Sequence, residues 1–171
     1  MLLKLNRYSD VDPGKLMDLY AEGNLENAED FFPDMDRNEA VKKVEAGFLS
    51  YLEQDFFRST NPSYWVLEED GQWVSALRLN RLQPDFYYLE ALETRPDSRR
   101  KGYAARLLSE VIDVLKKKGS FRLCDCVSKR NEPSLRTHLK CGFEIVSEDG
   151  YDYLSGEASS RHYGLCYRFE P

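Results

Sequence analysis

Residues 86–127 place the tightest constraint on what this chain can fold into. Phe86 to Thr94 is a strand-like run. Ala104, Leu107, Leu108, Val111, Ile112 and Leu115 then recur at i, i+3, i+4 spacing, and Phe121 to Val127 is strand-like again. Strand, helix, strand is the crossover that parallel pairing requires. Just upstream, Tyr64 to Glu68 and Trp73 to Leu82 flank Glu69-Asp70-Gly71-Gln72. Asp-Gly between two such runs predicts a hairpin, and therefore antiparallel pairing. Only a mixed sheet satisfies both demands. The expected fold is α/β: a mostly antiparallel sheet with a central parallel strand pair and helices on both faces.

The remaining elements fit around that frame. Asp12-Pro13 reads as a helix start, with Asp as N-cap and Pro at the first helical position, and Leu16, Leu19 and Tyr20 as the buried stripe. Asp36 followed by Glu39 resembles a capping box, and Val41, Val44, Phe48, Leu52 and Phe56 follow close to helical spacing. The helix after Ala104 ends in Lys116-Lys117-Lys118-Gly119, cations at the negative end and a glycine to stop it. Pro133 opens a short helix that closes at Cys141-Gly142, Phe143 to Ser147 resumes strand character, and Gly164 to Phe169 is the last strand. No internal repeat or low-complexity linker interrupts the chain, so residues 1–171 are expected to form a single domain.

Composition narrows the function classes. Hydrophobic residues make up 42% and charged residues 32%, a globular balance. No apolar run approaches the ~18 residues of a membrane helix. The start, MLLKLNRYSD, soon reaches Asp10 and Asp12 and lacks a signal-peptide core. Four cysteines are too few for a disulfide scaffold, so reduced thiols in the cytoplasm are expected, and a secreted, membrane or collagen-like protein is not. The net charge of −6 argues against nucleic-acid binding, as does the lack of aromatic residues within the basic run apart from Tyr103. That total hides a split. Asp12 to Asp55 holds twelve acidic and four basic residues, whereas Arg95 to Lys140 holds thirteen basic and five acidic. One part suits a cation and the other an anion.

The anion-binding part has a focus. Arg99, Arg100 and Lys101 stand at the mouth of the helix that opens near Gly102, where the helix dipole already supplies about +0.5 charge. Three cations are unfavourable there unless an anion sits among them. Free N–H groups of the first turn would bind phosphate oxygens, and Gly102 and Ala104 keep side chains clear of a pyrophosphate. The glycine spacing is neither the dinucleotide fingerprint nor a P-loop.

Arg99-x-x-Gly102-x-Ala104, preceded by Thr94-x-Pro96, resembles the acetyl-CoA signature of the GNAT superfamily of N-acyltransferases, Arg/Gln-x-x-Gly-x-Gly/Ala. Downstream, Asn131-Glu-Pro-Ser134-Leu-Arg-Thr-His138-Leu-Lys-Cys-Gly142-Phe143 is similar to that family's Asn-x-x-Ala/Ser-x-x-x-Tyr-x-x-x-Gly-Phe segment. The order of elements fits along nearly the whole chain, although the first 60 residues match in element order alone. The resemblance implies a single GNAT-like domain that binds acetyl-CoA. The main chain of Leu92, Glu93 and Thr94 would bond the pantetheine amides in a gap between splayed strands. The backbone of Arg99, Arg100, Lys101, Gly102, Tyr103 and Ala104 would cradle the pyrophosphate, and Asn131 and Ser134 would face the thiol end or the pantetheine arm. A main-chain N–H near Leu92 would stabilise the oxyanion.

The implied chemistry is direct transfer of an acetyl group to a primary amine, without a metal. The amine must lose a proton, and Glu90 and Glu93 lie on the strand nearest the thioester. Strand periodicity puts them on opposite faces, Glu90 sharing one with Leu92. Where the family commonly uses a Tyr as general acid, this chain has His138, either a proton donor to the departing thiolate or an ordinary helix histidine packing on Leu135 or exposed to water. Cys124-x-Cys126 has no second pair at zinc-site spacing and reads as buried thiols. His162 near Cys166 lacks an oxyanion-loop signature, and Trp65 and Trp73 belong to the core or the acceptor cleft. The acidic segment points to a cationic small molecule, a basic N-terminus or a Lys side chain as acceptor. The competing expectation is a GNAT-fold module that binds acyl-CoA without turnover and regulates a partner. A homodimer is compatible with the sequence, which does not show one.

Overall fold

The computed structural model describes residues 1–171. The chain opens on a short strand, β1 (Leu2–Leu5), and three helices: α1 (Pro13–Leu19), α2 (Ala21–Phe31) and α3 (Arg37–Gln54). Sequence periodicity led to two helices here and no strand. The Asp12 carboxylate accepts the Lys15 N–H at 3.0 Å and caps α1, and Asp36 accepts the N–H groups of Asn38 and Glu39 and caps α3. β2 (Pro62–Glu69), β3 (Gln72–Gln83) and β4 (Phe86–Thr94) follow as a meander. Asp70 and Gly71 turn the first hairpin with φ of 50° and 74°, the pair of positive values a two-residue turn needs.

α4 (Tyr103–Lys116) then crosses to β5 (Phe121–Ser128), and α5 (Glu132–Lys140) leads to β6 (Glu144–Ser147). The expected loop before the last strand contains a small hairpin, β7 (Gly150–Tyr151) with β8 (Ala158–Ser159), and β9 (His162–Phe169) closes the chain. The main sheet has seven strands in the order β1-β2-β3-β4-β5-β9-β6. Only β4 and β5 are parallel; every other pair is antiparallel.

Both sheet faces are covered. Leu107, Leu108, Val111, Ile112 and Leu115 of α4 pack on Leu77, Leu79, Leu89 and Leu123, with Trp65 in the same layer. Leu16, Leu19 and Leu52 of the N-terminal helices pack on Tyr64, Val66 and Trp73 on the opposite face. Both tryptophans are therefore core residues. The parallel pairing is short: Phe86, Tyr87 and Tyr88 face Arg122, Leu123 and Cys124, and no rung follows, although β4 runs on to Thr94 and β5 to Ser128. Past Tyr88 the two strands part, and the gap opens toward the mouth of α4.

Candidate active site

The edge of the gap is shaped by one extra residue in β4. Across β3, Arg78 faces Glu90 and Ala76 faces Glu93, so Leu77 alone stands against Ala91 and Leu92. This is a β-bulge. Ala91 carries it at φ 55°, a left-handed conformation uncommon outside glycine. Its carbonyl accepts a hydrogen bond from Tyr20 Oη at 2.7 Å, and Tyr64 Oη donates to Tyr20 Oη at 2.8 Å. Both tyrosines are buried.

The bulge overturns the expected facing of the two glutamates. Because Ala76 and Arg78 are two apart on β3, their partners Glu93 and Glu90 share a face, toward the N-terminal helices. Ala91 packs on that side, and Leu92 packs on the α4 side instead of sharing a face with Glu90. Glu90 Oε1 accepts from Arg78 Nε at 2.7 Å, and the Arg78 guanidinium lies 5.3–5.9 Å from the ring centres of Phe48, Tyr51, Phe56 and Tyr64. Glu93 Oε1 accepts from the Thr94 N–H at 3.2 Å and from Arg99 at 3.1 Å. Burial pushes the Glu93 carboxyl above its ordinary pKa, against the pull of the Thr94 N–H and Arg99. The Thr94 N–H is thus already engaged, which leaves its carbonyl as the group free to meet a pantetheine amide, apart from a long 3.4 Å approach by Arg99 Nε.

At the mouth of α4 the main chain is unpaired. None of the N–H groups from Arg99 to Ala105 hydrogen-bonds within the chain, and the first that does is Arg106, to the Gly102 carbonyl at 3.0 Å. Arg100 and Gly102 take positive φ, 62° and 80°, which turns this run of amides into a concave cradle. A Cβ built on Gly102 would meet no atom within 4 Å, so no part of the chain crowds this residue. Arg99 bridges Glu93 on β4 and Glu22 on α2, the latter at 2.6 Å. Arg100 and Lys101 are exposed and make no ion pair. A pyrophosphate-bearing ligand with an extended arm fits this arrangement: amides and cations for the phosphates, the gap for the arm.

The far wall is α5. Asn131 caps it, Oδ1 accepting the Ser134 N–H at 3.2 Å. Ser134 is half-buried, with Oγ 3.4 Å from His138 Nδ1. His138 itself is turned inward and fully buried. Its Nδ1 lies 2.8 Å from the Ser134 carbonyl and its Nε2 2.8 Å from Asp125 Oδ2. Neither ring nitrogen is left over for a sulfur in the gap. His162, four residues from Cys166 along β9, bonds Ser159 Oγ at 3.0 Å instead of a cysteine.

Sequence reasoning missed Tyr20, Arg78, Ala91 and Asp125. Asp125 could have been found, because it takes an inward position between Leu123 and Val127 of an alternating strand, where a carboxylate needs a partner. The bulge at Ala91 has no such mark.

A family model described as the acetyltransferase (GNAT) family matches residues 24–143. No curated protein matches the chain in sequence. Solved structures resemble it in fold. The PaiA N-acetyltransferase from Thermoplasma acidophilum, in complex with coenzyme A, is 15% identical, with 99% of each chain covered and a TM-score of 0.63. An aminoglycoside 6'-acetyltransferase type Ii is 12% identical over 100% of this chain and 98% of its own, with a TM-score of 0.65. A GNAT-family acetyltransferase from Streptococcus pneumoniae is 16% identical over 99% of this chain and 100% of its own, with a TM-score of 0.60. The family match spans well over half of the sequence and takes in the parting strands, the cradle at α4 and the capped α5: the chain belongs to the acetyltransferase (GNAT) family.

Proposed function

We propose that this protein moves an acetyl group from acetyl-CoA directly to a primary amine, holding the pyrophosphate on the amides of Arg99 to Ala105 and the pantetheine arm in the gap between β4 and β5. The observation that carries this reading is the unbroken run of unpartnered N–H groups at the basic mouth of α4, directly after a strand that has left its parallel neighbour. When bound, acetyl-CoA supplies the activated acyl group. Leu92, Glu93 and Thr94 orient the arm through the main chain, and an N–H near Leu92 stabilises the oxyanion.

Glu93 accepts the proton of the attacking amine, directly or through water. Glu90 is less available to an amine, because Arg78 already occupies its Oε1 at 2.7 Å. Glu93 shares its cation with Glu22, and the phosphates of a bound cofactor would compete for that same Arg99. His138 holds α5 on β5 through Asp125 rather than protonating the departing thiolate. The acceptor is a cationic small molecule or a basic peptide amine, drawn by the acidic residues of α2 and the loop that follows it.

The test uses the full-length protein. Calorimetry with acetyl-CoA should show binding, and amines should stimulate release of free thiol, polyamines and basic peptides most. No binding would refute the reading of the cradle. Binding without amine-stimulated release would make the protein an acyl-CoA-binding regulatory module.

A further inference from the structure

We propose that Cys124 and Cys166 are a peroxide-sensitive dithiol that closes reversibly to a cross-strand disulfide, Cys166 reacting first and Cys124 resolving it. The two residues face each other directly in the β5–β9 ladder. Paired antiparallel residues have Cα atoms about 4.5–5.5 Å apart, within the range a disulfide spans. Cys124 Sγ donates to Cys166 Sγ at 3.1 Å, so bond formation needs a closure of only about 1 Å. Both thiols are buried with Phe86, and Tyr153, more than a third exposed, stands edge-on over that ring at 4.9 Å. Tyr153 belongs to the turn of the small β7–β8 hairpin, whose strands are two residues each and marginal on their own, so opening of that hairpin would uncover this side of the pair.

Charge on the same sheet face favours a thiolate. Two rungs away, and so on the same face, Arg122 and Arg168 lie directly opposite each other. Opposed like charges destabilise a sheet unless an anion stands between them. Neither arginine forms a salt bridge with a carboxylate, although Arg122 stacks at 3.9 Å over Phe86. Glu144 on β6 pairs in register with Cys166, but it is exposed and bonds neither arginine. That leaves the Cys124–Cys166 pair as the nearest group on this face able to carry a compensating negative charge. The hydrogen bond from Cys124 pulls the Cys166 thiol below its ordinary pKa, with Arg168 and Arg122 acting the same way against burial, while Cys124 is pushed up.

The steps balance with hydrogen peroxide as the oxidant. The Cys166 thiolate attacks one peroxide oxygen, the O–O bond breaks, and hydroxide leaves and takes up a proton, giving a sulfenic acid and water. Cys124 sulfur then attacks Cys166 sulfur, the S–O bond breaks, and the Cys124 proton leaves with hydroxide as a second water. Two thiols are oxidised by two electrons and one peroxide is reduced. The disulfide would tie β5 to β9 beside Tyr88, the last rung before the gap opens.

This inference is independent of the acetyl-transfer reading, and so is its test. The reduced full-length protein is treated with hydrogen peroxide, unfolded in N-ethylmaleimide, and mapped by mass spectrometry. Capped thiols should fall from four to two, with the missing pair in a linked Cys124–Cys166 peptide and dithiothreitol restoring all four. Cys124→Ser should leave a Cys166 sulfenic acid that dimedone traps, and Cys166→Ser should slow peroxide consumption at least ten-fold. Four capped thiols after peroxide, or a link through Cys126 or Cys141, would overturn the proposal. The wild-type map decides even where a variant fails to fold.

Discussion

His138 and Asp125 meet between α5 and β5 with Nε2 and Oδ2 2.8 Å apart, and the other ring nitrogen lies 2.8 Å from the Ser134 carbonyl. A carbonyl can only accept, so Nδ1 carries a hydrogen. The contact with Asp125 then holds a further proton, and the buried pair as a whole is neutral. Removing one partner leaves the other buried without compensation, at a typical loss of about 3–5 kcal/mol. His138→Ala and Asp125→Ala should each destabilise the fold by that measure, read from urea unfolding, whereas Asp125→Asn, whose amide can donate to Nε2, should cost less. A change below 1 kcal/mol in both alanine variants would show that the pair is not holding α5 in place.

The same pair gives stability a pH dependence. Burial pulls the imidazole down, but the hydrogen bond and charge of Asp125 and the Ser134 carbonyl outweigh it, and the native pKa lies above 6.5. Burial likewise pushes the Asp125 carboxyl up, against the pull of His138. A raised native pKa stabilises fully below the unfolded value and is lost as pH rises through the native one. Unfolding free energy should therefore fall from pH 6.5 upward. His138→Leu should remove that slope, as read from urea titrations across pH 6 to 9.

Tyr20 is predicted to position β4. Tyr20→Phe removes the one hydroxyl that meets the Ala91 carbonyl at the bulge. Leaving a fully buried carbonyl unsatisfied costs about 1–3 kcal/mol, less for this partly buried one, and the positive φ at Ala91 loses its restraint. Turnover should fall more than affinity for the phosphate-bearing end of coenzyme A, because the cradle at α4 is untouched. Equal losses in both would mean that the variant acts on the fold as a whole.

The cradle was legible in sequence and the bulge was not, for a physical reason. Arg99 to Ala104 announce themselves because cations at a positive helix end demand an explanation. The parallel β4–β5 pair likewise followed from strand–helix–strand order. Ala91 is an ordinary strand residue whose conformation is set by Tyr20, 71 positions away. One inserted residue then reversed the facing of Glu90 and Glu93, which no periodicity could reveal. α2 escaped notice because only Asn24 and Ala28 of its eleven residues are buried, too few to print a stripe. The inward turn of His138 depends on Asp125 in a different element, so spacing within α5 could not show it.

Gly102 separates binding from folding. In the free protein a side chain there meets open space, so Gly102→Val carries only the penalty of φ 80°, about 1–3 kcal/mol. A side chain at this position, between the unpaired amides of Lys101 and Tyr103, would crowd a pyrophosphate held on them. Calorimetry should show acetyl-CoA affinity reduced by at least ten-fold in a variant that stays folded by circular dichroism. Unchanged affinity in the folded variant would remove the loop from the binding site.

The acidic N-terminal helices make the last prediction, and their geometry sharpens it. Glu22 is tied to Arg99 at 2.6 Å, Glu29 to Arg37 at 3.8 Å, and Asp36 is committed to capping α3. Glu26, Asp30 and Asp34 make no ion pair and leave their charge available to an incoming cation. Each exposed pairing with an ammonium group is worth about 0.2–1 kcal/mol, so neutralising all three should raise KM for a polyamine by roughly 3- to 150-fold. A triple variant, Glu26→Gln with Asp30→Asn and Asp34→Asn, should show that rise with kcat held and with KM for a neutral monoamine unmoved. Exposed charges are screened beyond about 10 Å at 0.1 M salt. Wild-type KM for the polyamine should therefore climb with ionic strength, and the variant's should climb less. If both proteins prefer neutral amines and ignore salt, these carboxylates serve only to solvate α2 and its loop, and the acceptor is held by other groups.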